Sequence, residues 1–250
     1  MLEREIKYNG KVIKMLYRDD SDQSVIDEFF VDKMYQSTEY LISNIPASST
    51  SSADRSAGRQ YPILDIGAHI GVFSLYSYVL CPTSYVLAIE PDQDNFKLLQ
   101  QNLKLNGCKN IKTIQAALVA GKESTTKLYL SKNTNNHSTL RLRSGQATSI
   151  NSRQAIQVPA INLEQLMKQN KIKKIGLLKM DIEGAEFGII KALKQKNFKT
   201  IENMVIEYHE SQQNKRLELE VLIRSHGFSV EHFPNKFDKR FGLLVCRNKK

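Results

Sequence analysis

Two short stretches of this chain concentrate the groups that can move a proton. KMDIEGAE carries Lys179, Asp181, Glu183 and Glu186, and NMVIEYHE carries Glu207 and His209. Carboxylates and imidazoles give and take protons in enzyme sites, so these stretches suit general acid–base chemistry. Asp181 and Glu183 project to one side if their strand continues that far, and Glu207 and His209 share a face in the same way. Asp181, Glu183 and His209 are the candidate catalytic groups, with His209 a general base because an ordinary imidazole titrates near about 6.5. Lys179 and Glu207 are expected to face the substrate. Glu186 reads as an acid in the first turn of a helix, where the helix dipole favours it. Asp181 with Glu207 or His209 would offer a divalent metal such as magnesium, manganese or iron suitable oxygen and imidazole ligands. No ligand spacing is sharp enough to assert a metal.

A second stretch, LDIGAHIGVF, has the makings of a ligand-binding turn. Asp65 closes an apolar run, and Gly67 and Gly71 follow around Ala68 and His69. Without a Cβ, the glycines let the backbone turn sharply and approach a ligand. The spacing is not the G-x-G-x-x-G of dinucleotide enzymes, and no G-x-x-x-x-G-K-[ST] phosphate loop occurs. SYVLAIEPD then ends in Glu90, an acid placed to accept hydrogen bonds from both hydroxyls of a ribose. A nucleoside site without a pyrophosphate cradle suggests S-adenosylmethionine. His69 could touch the ligand or only fill the turn.

These groups need elements to hold them. From Tyr61 onward apolar runs alternate with helical patterns: YPILDIG, a helix through Val72–Leu80, SYVLAIE, a helix through 92–106, NIKTIQAAL, IGLLKMDI, a helix through 185–194, and ENMVIEYH. GFSVEHF and RFGLLVCR follow as closing strands. Strands alternating with helices predict a doubly wound, mostly parallel sheet. Their unbroken apolar character fits helices on both faces. In such sheets ligands bind beyond the carboxyl ends of the strands, where Asp65, Glu90, Asp181 and His209 fall. Upstream, residues 1–45 read as an arm: a hairpin turning at Asn9–Gly10 and a helix over 24–43. Residues 46–60, PASSTSSADRSAGRQ, read as a flexible linker to a domain spanning 61–250. Residues 131–157 form a polar, irregular insertion within it.

DIGAHIG, AIEPDQDNFKLLQQNLKLNG, IQAAL and LLKMDIEGAEFGIIKAL together resemble the class I methyltransferases, and most closely the FkbM family. The resemblance runs from about Tyr61 to His209. It implies a seven-stranded Rossmann-like sheet with one antiparallel strand, S-adenosylmethionine as cofactor, and methylation of a hydroxyl on a small molecule or glycan. On this chain it implies that Gly67, Ala68 and Gly71 line the methionine moiety while Asp65 orders the turn. Glu90 would hold the ribose. Pro91 and Asp92 would start the helix beside the adenine, which Ala116 and Ala117 would flank. In the insertion, His137, Ser138 and Thr139 are candidates for the acceptor pocket.

Composition narrows the alternatives. Hydrophobic residues make up 41% of the 250, enough for a packed core. The net charge is +10, and the basic excess lies in residues 121–250. Such an excess can attract nucleic acid, so a nucleic-acid methyltransferase is the second reading, through residues such as Arg141, Arg143, Arg153, Lys171, Lys173 and Lys174. Against it, DIEG stands where an N-P-P-[YF] or D-P-P-Y would hold an exocyclic amine. A third reading, an inactive methyltransferase-like binding subunit, has no need of Glu90. Cys81, Cys108 and Cys246 form neither a disulfide framework nor a zinc motif. No apolar run approaches the ~18 residues of a membrane span. The N-terminus lacks an apolar signal-peptide core, so a soluble cytoplasmic protein is expected.

Overall fold

The computed structural model describes residues 1–45, 61–130, 155–236 and 238–249. The chain begins with an antiparallel hairpin of β1 (Leu2–Tyr8) and β2 (Lys11–Tyr17), reversing through Asn9 and Gly10, both at positive φ. α1 (Asp20–Phe30) starts at Asp19, whose side chain accepts from the backbone N–H groups of Ser21 and Asp22. A single helix over 24–43 is not what forms. α1 stops at Phe30, Lys33 takes a left-handed turn, and α2 (Glu39–Ser43) follows a short 3-10 turn. The reversal lets Tyr35 stack on Phe29 at 4.0 Å between ring centroids, a contact that a continuous helix would prevent.

The main sheet is built from β3 (Ile63–Ile66), α3 (Val72–Leu80), β4 (Val86–Ile89), α4 (Gln93–Leu105) and β5 (Ile111–Ile114). β6 (Ala117–Leu118), β7 (Thr125–Tyr129), β8 (Ala155–Ile161) and α5 (Leu163–Gln169) come next. Then follow β9 (Leu177–Met180), α6 (Glu186–Ala192), α7 (Gln195–Phe198), β10 (Asn203–His209), α8 (Arg216–Ser225), β11 (Phe228–Pro234) and β12 (Phe241–Asn248). Seven strands pair in the order β11-β12-β10-β9-β3-β4-β5. β12 runs antiparallel to both its neighbours, and the other pairings are parallel. This is the expected doubly wound, mostly parallel sheet with one antiparallel strand.

Its apolar strands divide their residues between two cores because successive side chains point to opposite faces. Leu64, Leu87, Leu178 and Ile206 pack against α5, α6, α7 and α8. Ile63, Val86, Leu177 and Val205 pack on the other face against α3, α4, α1, α2 and the hairpin. The N-terminal elements thus share one core with the sheet. Asn102 of α4 reinforces the join: it donates to the carbonyls of Leu16 at 3.1 Å and Ile70 at 2.9 Å, and accepts from Leu16 N–H at 2.7 Å.

Two boundaries differ from the sequence pattern. NIKTIQAAL is two strands, because β5 ends at Ile114 and β6 leaves the main sheet to pair with β8. Residues 155–157 are the start of β8, whose Ile156 and Val158 pack with Leu128 in a small core of their own. Among the described residues, no helix is long and apolar enough to cross a membrane.

Candidate active site

A cleft of about 280 Å³ opens at the carboxyl ends of β3, β4, β9 and β10. Four turns supply its chemistry, and each turn has a local reason for its shape.

After β3 the chain turns through Gly67 and His69, at φ +75° and +49°, and enters α3 from Gly71 at φ +94°. The turn is pinned from two sides. Gly67 and Ala68 both donate to the carbonyl of Ile89, each at 3.0 Å. A Cβ on Gly67 would stand 1.8 Å from the carbonyl oxygen of Asp181, so no side chain fits between these two turns. At Gly71 the clash would be with Leu99 Cδ1 at 2.7 Å. Gly67, Ala68 and His69 line the cleft, whereas Asp65 and Gly71 lie behind its wall. Asp65 is fully buried, accepting from Ser74 Oγ at 2.6 Å and facing Lys179 Nζ at 3.3 Å.

Glu90 follows β4 and is itself buried. Its Oε2 accepts from the backbone N–H of His69 at 2.8 Å, and its Oε1 from that of Asp92 at 3.0 Å. Burial pushes its carboxyl above the ordinary range, against these two backbone donors. Pro91, Ala116 and Ala117 complete this end of the cleft. Asp92 does not line it. Its carboxylate caps α4, accepting from Asp94 and Asn95 N–H at 2.9 Å each. The His69 ring turns away toward the N-terminal elements, with Nε2 3.2 Å from Asp22 Oδ1.

The opposite end is dense with ionisable groups. β9 ends at Met180, so Asp181 and Glu183 lie beyond it, and Glu183 takes φ +56°. The strand periodicity expected to align them does not reach them, yet both line the cleft. Glu207 and His209, near the end of β10, line it beside them, as does Lys179. The Lys179 ammonium is already occupied: Gly67 O lies at 2.8 Å, Asp65 at 3.3 Å and Asp181 at 3.7 Å. Burial opposes its charge, but Asp65, Asp181 and Glu207 outweigh burial and raise its pKa.

His209 does not have the ordinary titration expected of it. Its Nε2 is 3.5 Å from Glu183 and its Nδ1 is 3.3 Å from Glu186. Burial disfavours the imidazolium, but the two carboxylates hold it protonated well above the usual histidine range. Burial and neighbouring acids push Glu207 up to about 7 and Glu183 up to about 8. Tyr35 donates to Glu207 Oε2 at 2.9 Å.

Contributors from the N-terminal elements were not singled out in the sequence, and Glu186 was read only as a helix-start acid. Val25, Glu28 and Phe29 of α1 form a wall of the cleft. Burial first, then Glu207, Asp181 and Glu183, push Glu28 up to about 8. An acid beside the helix's apolar positions was the available sign. Tyr35 reaches Glu207 only because of the break after α1. Glu186 opens α6 as expected of a first-turn acid, but it is fully buried, accepts from Ile182 N–H at 2.8 Å and faces His209. His137, Ser138 and Thr139 lie outside the described residues.

The residues fit the cofactor inferred from the sequence better than they fit a phosphate ligand. Glu28, Glu90, Asp181, Glu183 and Glu207 line the cleft with carboxyl groups that a cation such as a sulfonium would draw toward their charged form, and its lysine is already paired. Small side chains at Ala116 and Ala117 leave room for a flat base beside Glu90.

The family model described as "Methyltransferase FkbM domain" matches residues 65–230. "Methyltransferase 1" of Beauveria bassiana is 28% identical over 182 residues, covering 67% of this chain and 72% of its own length. "31-O-demethyl-FK506 methyltransferase FkbM" of Streptomyces tacrolimicus is 24% identical over 195 residues, covering 67% and 72%. The solved structure of the METTL16 MTase domain covers 99% of this chain and 87% of its own with a TM-score of 0.54, at 13% identity, a likeness of fold.

Proposed function

We propose that this chain, a methyltransferase that belongs to the FkbM family, moves a methyl group from S-adenosylmethionine to a hydroxyl oxygen of a small molecule or glycan. One observation carries the reading: the glycine turn, Glu90 and the acid–histidine cluster converge on one cleft. When bound, S-adenosylmethionine supplies an electrophilic methyl group on a sulfonium.

The residues divide the work. Glu90 accepts hydrogen bonds from the ribose hydroxyls, its orientation fixed by the N–H groups of His69 and Asp92. Gly67, Ala68 and His69 give the methionine moiety a backbone wall, while Asp65, Gly71 and Asp92 hold that wall from behind. Pro91, Ala116 and Ala117 bound the base. Asp181, Glu183 and Glu207 face the acceptor and accept hydrogen bonds from its hydroxyl. Glu207, with one oxygen held by Tyr35, takes the hydroxyl proton, and His209 fixes Glu183 and Glu186 as a buried counter-charge. Lys179 locks the glycine turn to Asp181. Most of the acceleration comes from orienting the acceptor and excluding water.

DIEG at the cleft, where an N-P-P-[YF] or D-P-P-Y would hold an exocyclic amine, supports this reading over a nucleic-acid acceptor. The name of the Streptomyces relative, a 31-O-demethyl-FK506 methyltransferase, supports an oxygen acceptor. Radiolabelled S-adenosylmethionine incubated with fractionated cell extract tests the proposal. Label in hydroxylated small molecules or glycans is expected, and label confined to RNA would refute it. Calorimetry should show S-adenosylmethionine binding that Glu90→Ala weakens by about 10-fold or more, the worth of charged hydrogen bonds.

A further inference from the structure

We infer that Asp181, Glu186 and His209 form a binding site for one divalent cation on the acceptor side of the cleft. This rests on the cleft being the methyl-transfer site proposed above. The three residues come from separate places in the chain. Asp181 follows β9, Glu186 opens α6 and His209 ends β10, yet each offers one ligand atom, and these atoms all lie within 4.8 Å of one another. Oxygen and imidazole ligands bound to one cation at ~2.0–2.2 Å must lie within about this span.

An independent observation points to a missing partner. Glu186 is fully buried, and its Oε2 has no hydrogen-bond partner among the described residues while Oε1 takes the Ile182 N–H. His209 Nδ1 is likewise buried without a hydrogen bond, at ion-pair distance from Glu186 but outside hydrogen-bond geometry. A buried carboxylate oxygen left unpaired costs free energy, so native structures rarely keep one without a reason. A cation between the three residues satisfies it and replaces the proton that His209 holds in the metal-free protein, which is released to solvent.

Two carboxylates, one imidazole and no thiolate suit Mn²⁺ or Mg²⁺ with water in the remaining positions. Asp181 is the partly exposed member, its side chain 31% accessible, so the site opens toward the cleft. A cation there would meet the acceptor hydroxyl directly and lower its proton affinity, with Glu207 next to it to take the proton.

Mn²⁺ titrated into the chelator-treated full chain, followed by electron paramagnetic resonance without cofactor or acceptor, tests the inference. One Mn²⁺ per chain is expected, displaced by Mg²⁺. Asp181→Asn, at a partly exposed position, should weaken binding by at least about 10–100-fold, the loss typical of perturbing a metal's surroundings. Glu186→Gln should do the same, and Glu218→Gln, on the exposed face of α8 outside the cleft, should leave binding nearly unchanged. Absence of Mn²⁺ binding, or equal losses in Asp181→Asn and Glu218→Gln, would overturn the site. S-adenosylmethionine calorimetry on the same sample separates the two proposals. Cofactor binding without Mn²⁺ binding refutes the cation site alone, and Mn²⁺ binding without cofactor refutes the methyl-transfer reading of the cleft.

Discussion

Asp22 joins the N-terminal helix to the glycine turn, and its removal should have a measurable and pH-dependent cost. The carboxylate is fully buried. It accepts three hydrogen bonds of 2.8 Å from Arg18, one from the backbone and two from the guanidinium, and faces His69 Nε2 at 3.2 Å. Burial alone would raise its pKa, but Arg18 and His69 outweigh burial and hold it well below the usual carboxylate range. In Asp22→Asn the amide replaces one acceptor with a donor aimed at a cation. Breaking a buried ion pair costs about 3–5 kcal/mol. The Arg18 side chain is 23% exposed and keeps Asn95 Oδ1 at 2.6 Å. With that discount the loss is roughly 2–3 kcal/mol. At ~2–4 °C per kcal/mol for a chain of this size, Tm at pH 7 falls by roughly 4–12 °C. The folded pKa is depressed, so the carboxylate's contribution is whole above the unfolded value of about 3.9, begins to fade below it, and is lost only as pH falls through the lower folded value. The gap between wild type and variant, read by thermal denaturation, should therefore narrow between pH 7 and pH 3. A gap unchanged at pH 3, or absent at pH 7, would refute the argument.

Gly67→Ala should be far more damaging than Gly71→Ala. Both need positive φ, but a Cβ at Gly67 meets a backbone carbonyl at 1.8 Å, while at Gly71 it meets a leucine methyl that can rotate away. Soluble yield and S-adenosylmethionine calorimetry should separate them, with binding lost in the first and retained, weakened, in the second. Asn102→Ala leaves three backbone groups of Leu16 and Ile70 without their side-chain partner, and denaturant unfolding should show a loss of about 2–4 kcal/mol. Glu207→Gln should lower kcat by about 10²–10⁴-fold with little change in cofactor affinity, as expected when a general base is removed. An equal loss of cofactor affinity would place Glu207 outside the acceptor side.

The sheet was readable because its signals are local. Apolar runs of strand length, alternating with helical ones, state the parallel core directly, and the spacing of DIGAHIG and Glu90 falls on two adjacent strand ends. What escaped was set by contacts between distant residues. Nothing near Tyr35 announces that it will reach Glu207, because the reversal after α1 exists to stack Tyr35 on Phe29. Glu186 looks like any acid at a helix start, and only the position of β10 turns it into a buried partner of His209. The separation of β6 from β5 depends on β8, which lies beyond the insertion.

The segment that matches the family model begins at Asp65, yet Val25, Glu28 and Phe29 line the cleft from upstream of it. One wall of the cleft is thus written on a different length of chain from the cofactor turn and the acid cluster. Changes in α1 would reshape that wall while leaving the glycine turn and Glu90 untouched. The Asp22–His69 contact marks the seam along which such an exchange must stay compatible. Anyone grafting the first 45 residues of a relative onto this chain would need to carry that pair across together.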